Sequence, residues 1–195
     1  HVKVVQGIVE RLMKQGDVYE GEYEGWYCVP DETFWTEKEL AEDKKCPTCG
    51  RALEKVKEKT FFFKQSKYEG RLRELLAQTA GGSKEPFLSP ASRQHEIVQF
   101  LKQGLQDLSV SRTNLAWGIP IPGHSPHVVY VWFDALINYI SAIGYDPTTG
   151  KIDSRWPADL HLMGKEIVRF HAVTWPTMLF ALGLETPKRI FGHGW

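Results

Sequence analysis

Three cysteines and one aspartate carry the first chemistry readable in this chain. Cys28-x2-Asp31 is followed by Cys46-x2-Cys49. Two short pairs on turns can bring four donors to the corners of a tetrahedron, and thiolates and a carboxylate oxygen are all acceptable to zinc. Gly50, directly after the second pair, relieves crowding where backbone amides approach sulfur. The competing reading is a knuckle held by packing, without metal. An odd number of cysteines that includes a C-x2-C pair argues for metal binding or reduced thiols rather than a disulfide framework. That chemistry belongs to a reducing compartment, so the expected location is cytoplasmic.

A second constellation lies in Tyr130-Val-Trp-Phe-Asp-Ala-Leu-Ile-Asn-Tyr139. A strand is expected to end near Trp132 and a helix to follow. Trp132, Ala135, Leu136 and Tyr139 stand at i, i+3, i+4 and i+7 and would share one helix face. A Trp and a Tyr flanking a small residue make a slot for an apolar side chain, and a thioether suits aromatic walls. The same stripe could equally be core. Asp134, at the helix start, reads as a cap or dipole partner.

The third segment, His161-Leu-Met-Gly-Lys-Glu-Ile-Val-Arg-Phe-His171, reads as strand, glycine turn and helix. Gly164 permits close backbone approach, and the following helix start with Lys165 can receive an anion or nucleotide. The P-loop pattern is absent. His171 can be a hydrogen-bonded core residue or a pocket residue. Ligands of open α/β sheets bind beyond the carboxyl ends of the strands. Trp132, Gly164 and His193 are therefore expected at one sheet edge.

The elements that must position these residues follow from periodicity. Val2 to Gln15 is helical, with Val5, Ile8, Val9, Leu12 and Met13 at helical spacing. Strands are expected from Val18 to Tyr23, from Gly25 to Val29 and within Leu53 to Phe63. Thr36 and Glu39 form a capping box for a short helix through Ala41. Gln65 to Gln78 and Ser92 to Leu105 read as helices, and Thr79 to Pro90 as a flexible loop. After the Gly/Pro run Gly118 to Pro126, strands at His127 to Trp132, Asp159 to Met163 and Arg189 to His193 alternate with helices. Alternation implies crossovers and a parallel sheet, hence an α/β fold.

Composition narrows the function classes. With 42% hydrophobic residues the chain can bury a real core. Its 24 basic residues balance 24 acidic ones, so nothing in the total charge demands a nucleic-acid partner. No run of about 18 apolar residues is present, which excludes a membrane-spanning helix. The chain starts at His1, and Arg189 to Trp195 reads as a strand running onward, so an interior piece of a longer protein is expected.

Taken in order, W-Y-C-V-P-D-E-T-F-W, F-F-F-K-Q-S-K-Y, W-G-I-P-I-P-G, Y-V-W-F-D-A-L-I-N-Y, H-L-M-G-K-E-I-V-R-F-H, W-P-T-M-L and G-H-G-W resemble the methionyl-tRNA synthetases. The likeness runs over nearly the whole chain. It implies half of a class I Rossmann-type parallel sheet with an inserted α+β connective-peptide domain. Residues 1–17 would be a Rossmann helix, 18–108 the insert with its zinc knuckle, and 109–195 the second Rossmann half. The implied activity is ATP-dependent activation of methionine and its transfer to tRNA(Met), with magnesium accompanying ATP. Trp132, Ala135, Leu136, Tyr139, Ile167 and His171 would form the methionine pocket. Gly164, Lys165, Glu166, His193 and Gly194 would face the adenylate, and Cys28, Asp31, Cys46 and Cys49 would hold the metal. Asp31 departs from the fourth cysteine common in the family. The family's H-I-G-H and K-M-S-K-S phosphate motifs are expected before residue 1 and after Trp195, so no catalytic residue is assigned and this stretch alone is expected to be inactive. The alternative reading is a stand-alone knuckle module that binds tRNA or serves as scaffold. A missing first half would leave apolar surface around Val128 to Trp132 and Ile190 to Phe191.

Overall fold

The computed structural model describes residues 1–30, 33–35, 40, 45–47, 49–77 and 86–194. Asp31, the Thr36–Glu39 capping box and Trp195 lie outside the described residues, as do 78–85 of the expected loop.

Helix α1 (Val2–Lys14) buries Val5, Ile8, Val9 and Leu12 of the apolar positions that its spacing predicts, with Met13 half-buried against the same cluster. Gly16 ends it at φ 73°. There the Gly16 and Asp17 amides donate to Met13 and Leu12 carbonyls, closing a left-handed C-terminal cap that glycine adopts without a Cβ penalty. The two strands expected next are one, β1 (Val18–Cys28), because Gly25 continues the ladder rather than breaking it. It pairs antiparallel with β2 (Thr33–Trp35) and along ten positions with β3 (Glu54–Phe63). With β5 (Leu108–Ser109), the sheet order is β2-β1-β3-β5. On one face Lys55, Lys57 and Lys59 pair diagonally with Glu24, Glu22 and Glu20. These exposed pairs set register more than they add stability.

Gln65–Tyr68 forms a 3-10 turn before α2 (Glu69–Ala77), so the expected single helix has a tighter first turn. Part of the expected flexible loop is ordered: β4 (Leu88–Ser89) runs parallel to β9 (Ile190–His193), and Phe87 and Leu88 are fully buried. The apolar pair outweighs the surrounding prolines. Helix α3 (Ala91–Leu101) follows.

The strand expected from His127 to Trp132 is shorter. β7 (Val128–Val129) pairs antiparallel with β6 (Ser111–Arg112), and α4 (Val131–Ser141) begins at once. Trp132 therefore sits in a helical turn rather than at a strand end, and β7 lies outside the parallel sheet. That sheet is β4-β9-β8, with β8 spanning His161–Gly164. Beyond β8, a 3-10 turn (Lys165–Ile167) leads into a π-helical stretch (Phe170–Thr174) and α5 (Trp175–Leu182). Pro176 explains the wider turn: it has no amide proton to give the preceding turn. Thr177 Oγ1 instead donates to the Val173 and Thr174 carbonyls.

One apolar cluster joins α1, β3, α4 and α5 through Ile8, Leu12, Phe63, Phe133, Leu136, Trp175 and Met178. A second joins α2, α3, β8 and β9 through Leu72, Leu101, Met163 and Ile190. Each fully buried Leu, Ile or Phe contributes roughly 1.5–3 kcal/mol. The expected apolar surface is only partly present: Val128, Val129 and Ile190 are buried by β6, the loop before β7 and β8, whereas Val131 and Phe191 are exposed. Leu162, 65% exposed, extends that surface along β8.

Candidate side-chain pocket and cysteine cluster

Helix α4 and the helical run after β8 bring the aromatic residues together. Trp132 and Tyr139 are two turns apart, about 10 Å along the axis. Ala135 lies between them on the same face. All three are half-buried, whereas Leu136 is 1% exposed and belongs to the main core. The stripe thus divides: Leu136 holds the helix down, and the other three keep partial access.

Opposite stand Phe170 and His171; Ile167 joins them through its carbonyl, while its side chain packs against the second apolar cluster. Trp132 stacks on Phe170 with centroids 4.0 Å apart and planes 9° from parallel. Tyr139 Oη lies 2.8 Å from His171 Nε2, and His171 Nδ1 lies 2.9 Å from the Ile167 carbonyl oxygen. A carbonyl only accepts, so Nδ1 carries the proton, and in the neutral ring Nε2 accepts from the Tyr139 hydroxyl. Burial lowers the His171 pKa, against a smaller upward pull from its bond to Ile167. The neutral tautomer is therefore the resident form. Burial raises the Tyr139 pKa, so its hydroxyl keeps the proton it donates. The result is a fixed chain, Tyr139 to His171 to Ile167, spanning two elements.

At the carboxyl end of the parallel sheet, Gly164 of β8 pairs with His193 of β9. A Cβ on Gly164 would come 3.0 Å from Glu166 Oε2, and one on Gly192 would come 2.4 Å from Val168 Cγ2. Gly192 is thus required for helix–sheet contact. Lys165 and Glu166 are exposed, 4.0 Å apart at their charged atoms. His193 Nδ1 donates to the Gly194 carbonyl at 2.6 Å, and both residues are exposed. Trp132 comes from α4 rather than from a strand end, and it stacks on Phe170 in the helical run that follows Gly164. Asp134 accepts from His1 Nε2 at 2.6 Å, and burial raises its pKa.

Sequence reasoning passed over Phe170, Trp156, His161 and Trp175. Phe170 directly precedes His171, and the in-out alternation His161, Leu162, Met163 placed His161 inward, so both had a readable signal.

At the far end of the hairpin sheet, Cys28, Cys46 and Cys49 bring their sulfurs within 4.8 Å of one another, with Cys28 and Cys49 at 3.5 Å. Sulfurs on a tetrahedral ion with arms of about 2.3 Å stand about 3.8 Å apart, so the three fit a metal. The Gly50 amide donates to the Cys46 carbonyl and the Cys46 amide to Arg51, forming the tight turn that aims both thiols inward. Gly50 has φ 70°, which suits glycine. No helix among the described residues is long and apolar enough to cross a membrane.

A family model described as tRNA synthetases class I (M) matches residues 1–195. The methionine–tRNA ligase of Clostridium tetani is 52% identical over 197 residues, covering 100% of this chain and 30% of that protein. The corresponding ligase of Halalkalibacterium halodurans is 50% identical and 31% covered. Among solved structures, Mycobacterium tuberculosis methionyl-tRNA synthetase bound by methionyl-adenylate superposes with TM-score 0.84 at 39% identity, over 100% of this chain and 38% of that one. Its apo form gives 0.85. The chain thus spans about a third of the length of the relatives it matches.

Proposed function

The chain belongs to the tRNA synthetases class I (M), and on that premise we propose that it supplies the amino-acid pocket and part of the adenylate surface of a methionine–tRNA ligase. In that reaction the methionine carboxylate attacks the α-phosphorus of ATP, pyrophosphate leaves, and the aminoacyl group of the adenylate then passes to tRNA(Met) with release of AMP. Magnesium accompanies ATP, and the setting is the cytoplasm.

The observation that carries this reading is the fixed Tyr139–His171–Ile167 chain facing Trp132 across Ala135. Two aromatic walls separated by a small residue accept an unbranched thioether, and sulfur gains from contact with ring edges. Ile167 joins through its carbonyl, which holds His171, and Leu136 supports the face from beneath. Holding Tyr139 by its hydroxyl keeps the slot at one width, which spares the ordering cost on binding. Gly164, Lys165, Glu166, His193 and Gly194 would line the adenylate side, since they cluster at the carboxyl end of β8 and β9. These groups recognise and orient; they do not by themselves neutralise a triphosphate.

Residues 1–17, 18–108 and 109–195 are read as Rossmann helix, connective-peptide insert and second Rossmann half. The closure of the β2-β1-β3-β5 sheet within 18–109 supports the insert. Within it, zinc would be held by Cys28, Cys46 and Cys49, with Asp31 as fourth ligand, and would supply rigidity at the hairpin tip rather than chemistry.

Trp132→Ala in the active ligase containing this sequence tests the pocket. The methionine KM should rise about tenfold to a hundredfold, a loss of ~1.4–3 kcal/mol expected for one aromatic wall, with the ATP KM little changed. An unchanged methionine KM would refute the assignment.

A further inference from the structure

Behind Tyr139 lies a cage of rings. His161 stands 4.2 Å from the Tyr139 ring and 6.3 Å from Trp156, and Trp175 stands 6.0 Å from each of the same two rings. Most polar atoms of this cage are satisfied. The Tyr139 hydroxyl and both His171 nitrogens bond one another or the backbone, and Trp156 Nε1 donates to the Glu185 carbonyl at 2.9 Å. Three atoms are not. Both ring nitrogens of His161 and Nε1 of Trp175 are shut from solvent with no partner among the described residues. His161 is 5% exposed and Trp175 fully buried.

Buried polar groups are seldom left unpaired, because the desolvation is then uncompensated. A purely structural position here would hold an apolar ring at less cost. An indole N–H only donates, whereas a neutral imidazole donates at one nitrogen and accepts at the other. Water is the smallest molecule that serves both, and such buried waters occur where two or more protein partners converge.

We propose that His161 is a positioning residue for the amino-acid pocket: its ring backs Tyr139, and one of its nitrogens, with the Trp175 indole N–H as second partner, holds an ordered water in the cage. The water fixes the His161 ring plane, and the ring fixes Tyr139 from the side opposite the slot. Tyr139 is then held twice, by its hydroxyl through His171 and by its face through His161. The inference rests on the reading that Tyr139 lines the methionine pocket.

The test uses the active ligase containing this sequence and three variants. His161→Ala removes ring and nitrogens, and should raise the methionine KM about tenfold while kcat changes less than about twofold. His161→Phe restores the ring without the nitrogens, and should recover most of that loss but leave about a threefold rise, the worth of one hydrogen bond. A high-resolution crystal structure of the unaltered protein should show a water bonded to His161. If both variants lower Tm yet leave the methionine KM unchanged, while Trp132→Ala raises it, His161 is only core and the inference fails with the pocket intact. If Trp132→Ala also has no effect, the pocket reading itself fails. Should His161→Ala not fold, His161→Phe with an unaltered KM, or a dry cage in the crystal, overturns the proposal.

Discussion

Burial sets the protonation of both histidines beside Tyr139, and with it the pocket's dependence on acid. His161 is pushed down to about 4, first by desolvation and then by the neighbouring His171. The unfolded chain would titrate this residue near 6.5. Between these values the unfolded state binds the extra proton, so stability is fully present above about pH 6.5 and falls as pH drops toward 4. A shift of this size corresponds to about 3 kcal/mol. Urea unfolding of the protein and of His161→Phe at pH 7 and pH 4 isolates this contribution. The stability gap between the two should shift against the unaltered protein by a few kcal/mol over that range, and a pH-independent gap would contradict the burial argument. His171 moves the same way for the same first cause. Its protonation would turn Nε2 from acceptor into donor and reverse the bond to the Tyr139 hydroxyl, so methionine affinity should weaken on the acid side as well.

The two candidate sites depend on different kinds of element. The pocket stands on α4 and on the 3-10 and π-helical turns packed against it, and its geometry comes from burial. The cysteine cluster stands on the end of a hairpin, where β1 ends at Cys28 and a glycine turn carries Cys46 and Cys49. Cys28 and Cys46 are buried there, and a bound ion would tie the three thiols together. Elemental analysis of purified protein should find about one zinc per chain, and Cys49→Ser should lose it. A metal-free protein of unchanged stability would leave the cluster as packed thiols. The cysteine spacing made this site readable from the sequence, as did the helical face of α1. What periodicity could not supply was tertiary partnership. Leu88 and Ser89 looked like loop residues between prolines, yet they extend the parallel sheet because Phe87 and Leu88 have a core to enter. Val128 and Val129 looked like a strand of that same sheet, yet β6 captures them. Short apolar runs declare that they are buried, not against what.

At the scale of the molecule, recognition and phosphate chemistry are expected on different stretches of the chain. The parallel sheet, β4-β9-β8, presents Gly164 and His193 side by side at its carboxyl end. The ring pocket lies between α4 and the helical run that follows β8, with His161 of β8 itself 4.2 Å from the Tyr139 ring. Leu136 shows how the stripe was only half legible: four residues shared a helical face, and packing alone decided that one of them faced the core while the other three kept access. Phe170 and His161 carried a readable signal, one beside His171 and the other inward on β8, but their ring contacts across elements are not encoded in spacing. The most direct test is a crystal structure of the ligase containing this sequence with methionyl-adenylate bound. The methionine side chain should lie between Trp132 and Tyr139 over Ala135, with the Tyr139–His171 bond intact and the adenosine toward Gly164 and His193. A side chain seated elsewhere, with the Trp132–Tyr139 slot empty, would contradict the account.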